Sequence, residues 1–91
     1  MPDKIHCAHI LVKTETEART VIERLNGGEK FANIASQVSI CPSAKRGGDL
    51  GNFSRGVMVK EFETAAFALR KGGTSSPIKT KFGYHIIKRL E

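Results

Sequence analysis

The chain has 91 residues, of which 40% are hydrophobic and 26% are charged, and this length and composition predict one small domain spanning residues 1–91. No apolar run reaches the roughly 18 residues of a membrane-spanning helix, and residues 1–13 lack the apolar stretch of a secretion signal, so we expect a cytoplasmic protein. Fifteen Lys and Arg against nine Asp and Glu give a net charge of +6, which leaves an anionic partner open, although dispersed basic residues are more simply interpreted as a solvated surface.

The first predicted element is a strand from Ile5 to Val12. Side chains alternate between the two faces of a strand, so Cys7, His9 and Leu11 share one face, and the even-numbered residues, including His6, share the other.

A helix follows this strand. Thr14 and Glu17 fit a capping box, with Thr16 as the alternative cap, and apolar residues then recur at helical spacing up to Leu25. The glycines at positions 27 and 28 predict the end of this helix.

The middle of the chain alternates helices with an irregular stretch. A second helix is predicted over about residues 30–38, and a third over about 58–69. Between them lie four glycines and a proline, and a loop of this length in a compact domain is usually functional or disordered. Leu50 to Phe53 is predicted as a short strand inside it.

Two short extended segments complete the chain. Residues 76–80 are predicted to be extended, with Pro77 at a strand start or edge, and residues 84–90 are predicted to form the last strand. The order strand, helix, helix, strand, helix, strand, strand predicts an α+β domain with a mostly antiparallel sheet.

Both terminal strands carry a histidine between apolar residues, at His9 and His85. If the strands are neighbours, the two imidazoles could meet across the sheet. The alternative is two separate core histidines, each bonded to backbone. His6 lies on the opposite face from His9, and we assign it no role.

Cys41 opens the glycine-rich loop and could serve as a nucleophile if a histidine lies near it; otherwise it is a small, half-buried apolar residue. Cys7 and Cys41 form no motif, and we expect reduced thiols. Two histidines and one cysteine support a zinc site only weakly, so no metal or cofactor is expected. The segment GGDLG lacks the pattern of a phosphate-binding loop, and Asp49 is its one carboxylate.

Met58, Phe62 and Phe82 are large apolar residues near the same loop and strand junctions. Each alone is most simply a core residue. Together with the histidines they could line a dry pocket.

Three segments, HILVK, ICPSAKRGGDLGNFSRGVMVKEFETAAFAL and FGYHIIKRLE, closely resemble the parvulin family of peptidyl-prolyl cis/trans isomerases. The resemblance covers nearly the whole chain and is to the stand-alone, single-domain parvulins of bacteria and archaea. It implies a parvulin/FKBP-like fold, with a four-stranded antiparallel sheet surrounded by about four helices.

The resemblance also implies the site residues. The family pattern pairs His9 with His85 and makes Cys41 the loop thiol. It places Asp49 in the Gly-Asp-Leu-Gly segment and Thr80 in the hydrogen-bond network of the histidines. A further set would bind or border the proline ring of the substrate: Leu50, Met58, Phe62, Phe53 and Phe82.

The implied activity is rotation about X-Pro peptide bonds in flexible protein segments, which needs no covalent intermediate. Glu15 and Glu17 follow Lys13 where phosphate-directed relatives carry a basic cluster, so we expect no strict need for a phosphorylated substrate. The protein is expected to be a monomer that acts on proline-containing polypeptides. No dedicated nucleic acid partner is expected, and at most weak contact with anionic surfaces. The alternatives are a proline-peptide-binding chaperone module and a basic protein that binds nucleic acid or anionic membranes.

Overall fold

The computed structural model describes residues 3–91, and the order of its elements is the predicted one. The strands and helices, in chain order, are β1 (Lys4–Val12), α1 (Glu15–Asn26), α2 (Phe31–Val38), a 3-10 helix (Pro42–Arg46), β2 (Asp49–Ser54), α3 (Lys60–Ala68), β3 (Ile78–Thr80) and β4 (Gly83–Arg89). The three α-helices and the 3-10 helix confirm the predicted α+β class and the expected number of about four helices. None of the helices within residues 3–91 is long and apolar enough to cross a membrane.

The four strands form one antiparallel sheet in the order β2-β1-β4-β3. The two terminal strands, β1 and β4, are therefore neighbours at its centre. Their register pairs His9 with Ile87 and Leu11 with His85. His9 and His85 are thus diagonal neighbours on one face, which is close enough for their side chains to interact.

The strand alternation divides the interior into two cores, one on each side of the sheet. Helices α1 and α2 cover the side that we call the α1/α2 face, and helix α3 covers the α3 face. The buried core of the α1/α2 face consists of Ala8, Ile10, Val12, Ala18, Val21, Phe31, Ile34, Ala35 and Ile86. The buried core of the α3 face consists of Ile5, Cys7, Phe53, Phe62, Ala66 and Ile87.

The start of α1 has the predicted N-cap at Thr14 but only half of the predicted capping box, because the Glu17 carboxylate bonds the Thr14 hydroxyl and not its backbone N–H. The Thr14 hydroxyl accepts from the Glu17 backbone N–H at 3.1 Å and donates to the Glu17 carboxylate at 2.9 Å. Thr14 is therefore the N-cap, and the alternative cap, Thr16, lies inside the helix.

The glycine-rich loop packs directly against β1. The His9 backbone N–H donates to the Gly48 carbonyl at 2.9 Å, beside a register shift in the β1–β2 pairing between His6 and Ala8. Gly48 has φ +86°, and a Cβ there would collide with the His9 carbonyl oxygen. Only glycine allows this close approach, which explains part of the GGDLG segment.

Candidate active site

The two strand histidines form a bonded pair in the interior of the α3 face. His9 Nδ1 lies 3.0 Å from His85 Nδ1, and the rings stack with centroids 5.1 Å apart and planes inclined by 21°. The side chains are almost fully enclosed, with His9 5% and His85 4% exposed. For the two nitrogens to bond, one must carry a proton and the other must accept it.

Thr80 extends this pair toward the surface. Its hydroxyl lies 2.7 Å from His85 Nε2, and it also accepts from the backbone N–H of Phe82 at 3.1 Å. The network therefore runs from β1 through β4 to the turn between β3 and β4. It fixes the orientation of the His85 ring at both nitrogens.

The ring of Phe62, on α3, packs against both histidines of the pair. Its ring meets His9 edge to face, at 5.6 Å and 78°, and meets His85 in the same way, at 5.3 Å and 81°. His9 Nε2 is buried and has no hydrogen-bond partner within residues 3–91. We call His9, His85, Thr80 and Phe62 the histidine cluster.

Both histidines are held neutral. Burial and, to a smaller extent, repulsion from His85 together lower the pKa of His9 to about 4. Burial also lowers the pKa of His85. A neutral pair is able to hold or pass a hydrogen bond, but it is a poor source of positive charge at pH 7.

The apolar residues that the sequence grouped with the site fall into three positions. Phe53 and Phe62 are buried together, with ring centroids 6.0 Å apart. Leu50 and Met58 are half-buried and pack against this core, so each keeps part of its surface open to a ligand. Phe82 is 56% exposed, in the turn beyond Thr80, so it borders the site from outside and does not line its interior.

Cys41 is half-buried, and its thiol accepts a hydrogen bond from the Ser43 hydroxyl at 3.2 Å. Its loop is tied to the histidine strand, because Gly48 donates to the Ser43 carbonyl and accepts from His9. Within residues 3–91, no hydrogen bond joins the thiol to either histidine. The arrangement therefore lacks the nucleophile–base contact of a thiol protease.

Asp49 lies on the other side of the sheet from the histidine cluster. It pairs across strands with Ala8, and its carboxylate bonds His6 Nε2 at 2.6 Å and the Gly51 backbone N–H at 2.7 Å. The bond from His6 is the main reason that the pKa of Asp49 is lowered. The structure thus separates Asp49 from the other predicted site residues. It also gives His6 a partner that sequence reasoning missed, because the bulged register of β2 carries no sequence signal.

The cysteines and carboxylates of the described residues form no metal-binding cluster. Cys7 and Cys41 are both free thiols, as predicted, and burial raises the pKa of Cys7 to about 11. Among the residues that the structure describes, no three His, Cys, Asp or Glu side chains are grouped so that they could hold a metal ion.

Comparison with known proteins identifies relatives along nearly the whole chain. The family model of the PPIC-type PPIase domain, a rotamase, matches residues 9–91. The foldase protein PrsA 4 of Bacillus cereus is 52% identical over 86 residues, which is 93% of this chain and 31% of the relative. The chain thus spans less than a third of that foldase.

Two solved structures match this chain over almost their entire length. The parvuline NmPin of Nitrosopumilus maritimus is 52% identical, with a TM-score of 0.90, and the match covers 100% of this chain and 99% of NmPin. Pin from the psychrophilic archeon Cenarcheaum symbiosum is 59% identical, with a TM-score of 0.86, and the match covers 100% of this chain and 95% of that protein.

Proposed function

The chain belongs to the family of PPIC-type peptidyl-prolyl isomerase domains, and on this basis we propose that it catalyses cis/trans rotation about X-Pro bonds in flexible polypeptides. The observation that carries the proposal is the neutral, buried His9–His85 pair enclosed by Phe62. The half-buried Leu50 and Met58 pack against the core that includes Phe62 and supply an apolar surface for a proline ring.

The reaction has to overcome the resonance of the peptide bond. Rotation about the C–N bond meets a barrier of about 18–20 kcal/mol, and free X-Pro bonds exchange in tens to hundreds of seconds. The planar amide is more polar than its twisted form, because resonance separates charge between nitrogen and oxygen. An apolar site that removes water therefore favours the twisted state over both planar states, which is the condition for catalysis.

We assign the His9–His85–Thr80 network a positioning role. Its members bond each other, so the network holds β1, β4 and the β3–β4 turn in one arrangement around Phe62. The neutral pair also adds no charge that would draw water into the site.

The proposed reaction is non-covalent, with Cys41 as a polar neighbour of the substrate carbonyl. The test compares Cys41→Asp with Cys41→Ala, by exchange NMR on one X-Pro peptide. Neither variant can form a thiol adduct. We expect both to accelerate exchange, within about 100-fold of the native protein, a difference of under about 3 kcal/mol in the barrier. Complete loss in both variants would contradict the non-covalent reaction.

We further propose that the substrate need not be phosphorylated. The acids after β1 are held on α1, since the Glu17 carboxylate accepts a hydrogen bond from the Thr14 hydroxyl and the Glu15 carboxylate lies 3.6 Å from the Arg19 guanidinium. They would repel a phosphate placed near Lys13. Exchange rates are expected to be similar for Ala-Pro, Leu-Pro, Glu-Pro and phospho-Ser-Pro peptides, and a large preference for the phosphopeptide would overturn this proposal.

The clients, the monomeric state and the cytoplasmic location stay predictions. The name foldase given to the Bacillus relative supports unfolded or flexible proteins as the substrate class. A proline-limited refolding assay distinguishes the isomerase from a binding module, because a module that binds without turnover would leave the slow refolding phase unchanged.

A further inference from the structure

A groove of about 840 Å³ opens on the α1/α2 face, on the other side of the sheet from the histidine cluster. Its floor combines half-buried Ile22, Leu25 and Leu90 with the buried Ala8 and Phe31. The volume lies within the range of about 300–1,000 Å³ that is usual for ligand sites. The groove therefore offers concave apolar surface that the proposed isomerase reaction does not use.

The charges along the groove are unbalanced. Its two acids are already engaged: Glu29 accepts two hydrogen bonds from the Arg24 guanidinium, and Asp49 is bonded to His6. Lys30 and Lys88 also line the groove, and within residues 3–91 neither lysine has a carboxylate within 4.0 Å. The unopposed charge at the rim is thus positive.

A third cation, Arg46, strengthens this imbalance. It lines the groove, and its proximity to Asp49 contributes to the lowered pKa of that carboxylate. The positive charge of Arg46 therefore partly offsets the negative charge of Asp49.

We propose that this groove is a second polypeptide-binding site, which takes an extended segment with acidic and apolar side chains and does not require proline. Apolar side chains of the segment pack on Ile22, Leu25 and Leu90, and its carboxylates meet Lys30 and Lys88. A polypeptide fits better than a nucleic acid or a lipid surface. Nucleic acid would leave the apolar floor unused, and a bilayer surface cannot enter a concave groove between the α1–α2 connection and the sheet.

The test is fluorescence anisotropy with a labelled, proline-free peptide of leucine, glutamate and glycine. The double variant Lys30→Glu/Lys88→Glu is expected to weaken binding about tenfold at low salt, which corresponds to about 1.4 kcal/mol. The control Lys13→Glu/Lys60→Glu makes the same charge change at exposed residues outside the groove and is expected to leave binding within about twofold. A peptide with lysine in place of glutamate is expected not to bind.

A steric variant tests the location independently of charge. Ser76 is exposed at the groove rim, and Ser76→Trp is expected to reduce peptide binding while circular dichroism shows an intact fold. Exchange of a short X-Pro peptide is expected to stay unchanged in both groove variants. Failure of the groove to bind the acidic peptide is therefore distinguishable from failure of the isomerase activity.

Several results would overturn the proposal. They are an absence of binding to the acidic peptide, an equal loss in the groove and control variants, and a groove-dependent affinity for duplex DNA or anionic vesicles with none for the peptide.

Discussion

The two faces of the sheet share strands β1 and β4 but enclose different interiors. On the α1/α2 face, residues such as Ile10, Ile34 and Ile86 are fully buried, and their side chains need no polar partner. On the α3 face, the same two strands contribute His9 and His85, whose ring nitrogens lose water and regain only part of their hydrogen bonds. One face is packed for stability, and the other includes a polar network that plain packing does not require.

The domain accepts an energetic cost on the α3 face that it avoids on the other. A buried polar group without a partner costs free energy, and His9 Nε2 is such a group within residues 3–91. Aliphatic residues at both positions would avoid that cost. We therefore interpret the histidine cluster as retained for function, and the interior of the α1/α2 face as the support that holds it.

The largest effect is expected from a matched pair of core truncations, one on each face of the sheet. Phe62→Ala removes the ring over both histidines and is expected to lower the free energy of unfolding by about 3–5 kcal/mol. It is also expected to abolish most of the acceleration of X-Pro exchange. Ile34→Ala is expected to cost about 2–5 kcal/mol of stability and to leave exchange per folded molecule unchanged. Urea unfolding and exchange NMR measure the two quantities, and an equal loss of exchange in both variants would remove the functional distinction between the faces.

The stability of the domain is expected to depend on pH through His9. His9 titrates near 6.5 when the chain is unfolded and near 4 when it is folded, so between these values the unfolded chain binds the extra proton. Its contribution to stability is therefore complete above pH 6.5 and is lost as pH falls toward 4, by about 3 kcal/mol.

Urea unfolding of the native protein and of His9→Phe between pH 4 and 7.5 isolates this contribution, because the other groups are common to both. The native protein is expected to lose more stability than the variant across that range. Parallel pH profiles would show that His9 is not held neutral by the fold.

A smaller effect is expected at the surface end of the network. Thr80→Val keeps the shape but leaves His85 Nε2 without its 2.7 Å partner, which is expected to cost about 1–3 kcal/mol of stability. Thr80→Ser keeps the hydroxyl and serves as the control. The exchange rate should fall several-fold in the valine variant and recover in the serine variant; identical rates would mean that the hydroxyl does not position the pair.

The smallest effect is expected at Asp49, on the other face. Its bond to His6 is partly exposed, with the two side chains 27% and 41% accessible for His6 and Asp49, so Asp49→Asn is expected to cost less than about 1 kcal/mol. Exchange is expected to stay within about twofold of the native rate. A loss as large as that in Phe62→Ala would restore Asp49 to the site, where the family pattern had placed it.

The elements of the fold could be predicted from sequence because their signals are local. The N-cap at Thr14, the helical spacing up to Leu25 and the alternation along β1 each depend on nearby residues. Face assignments also followed from that alternation, which put Cys7 and Ala8 in different cores.

The site could be predicted only in part, because it depends on contacts between distant residues. The alternation of side chains along each strand assigned His9 and His85 to one face of their own strands. Their adjacency needs the β1–β4 register, which the family resemblance supplied. The His6–Asp49 bond depends on the register shift in the β1–β2 pairing, where the extra residue is on β2, and on the left-handed glycines that precede β2. Neither feature has a pattern readable from spacing. The groove is likewise formed by segments far apart in the chain.

Catalysis at the histidine cluster is tested most directly by following X-Pro exchange and peptide binding in one sample. A short Ala-Pro peptide is added to the ¹⁵N-labelled protein, and NMR records both the cis/trans exchange rate and the protein amides whose shifts change. We predict accelerated exchange, with shift changes centred on the α3 face around Leu50, Phe62 and His85. Uncatalysed exchange of bound peptide, or shifts confined to the α1/α2 face, would contradict it.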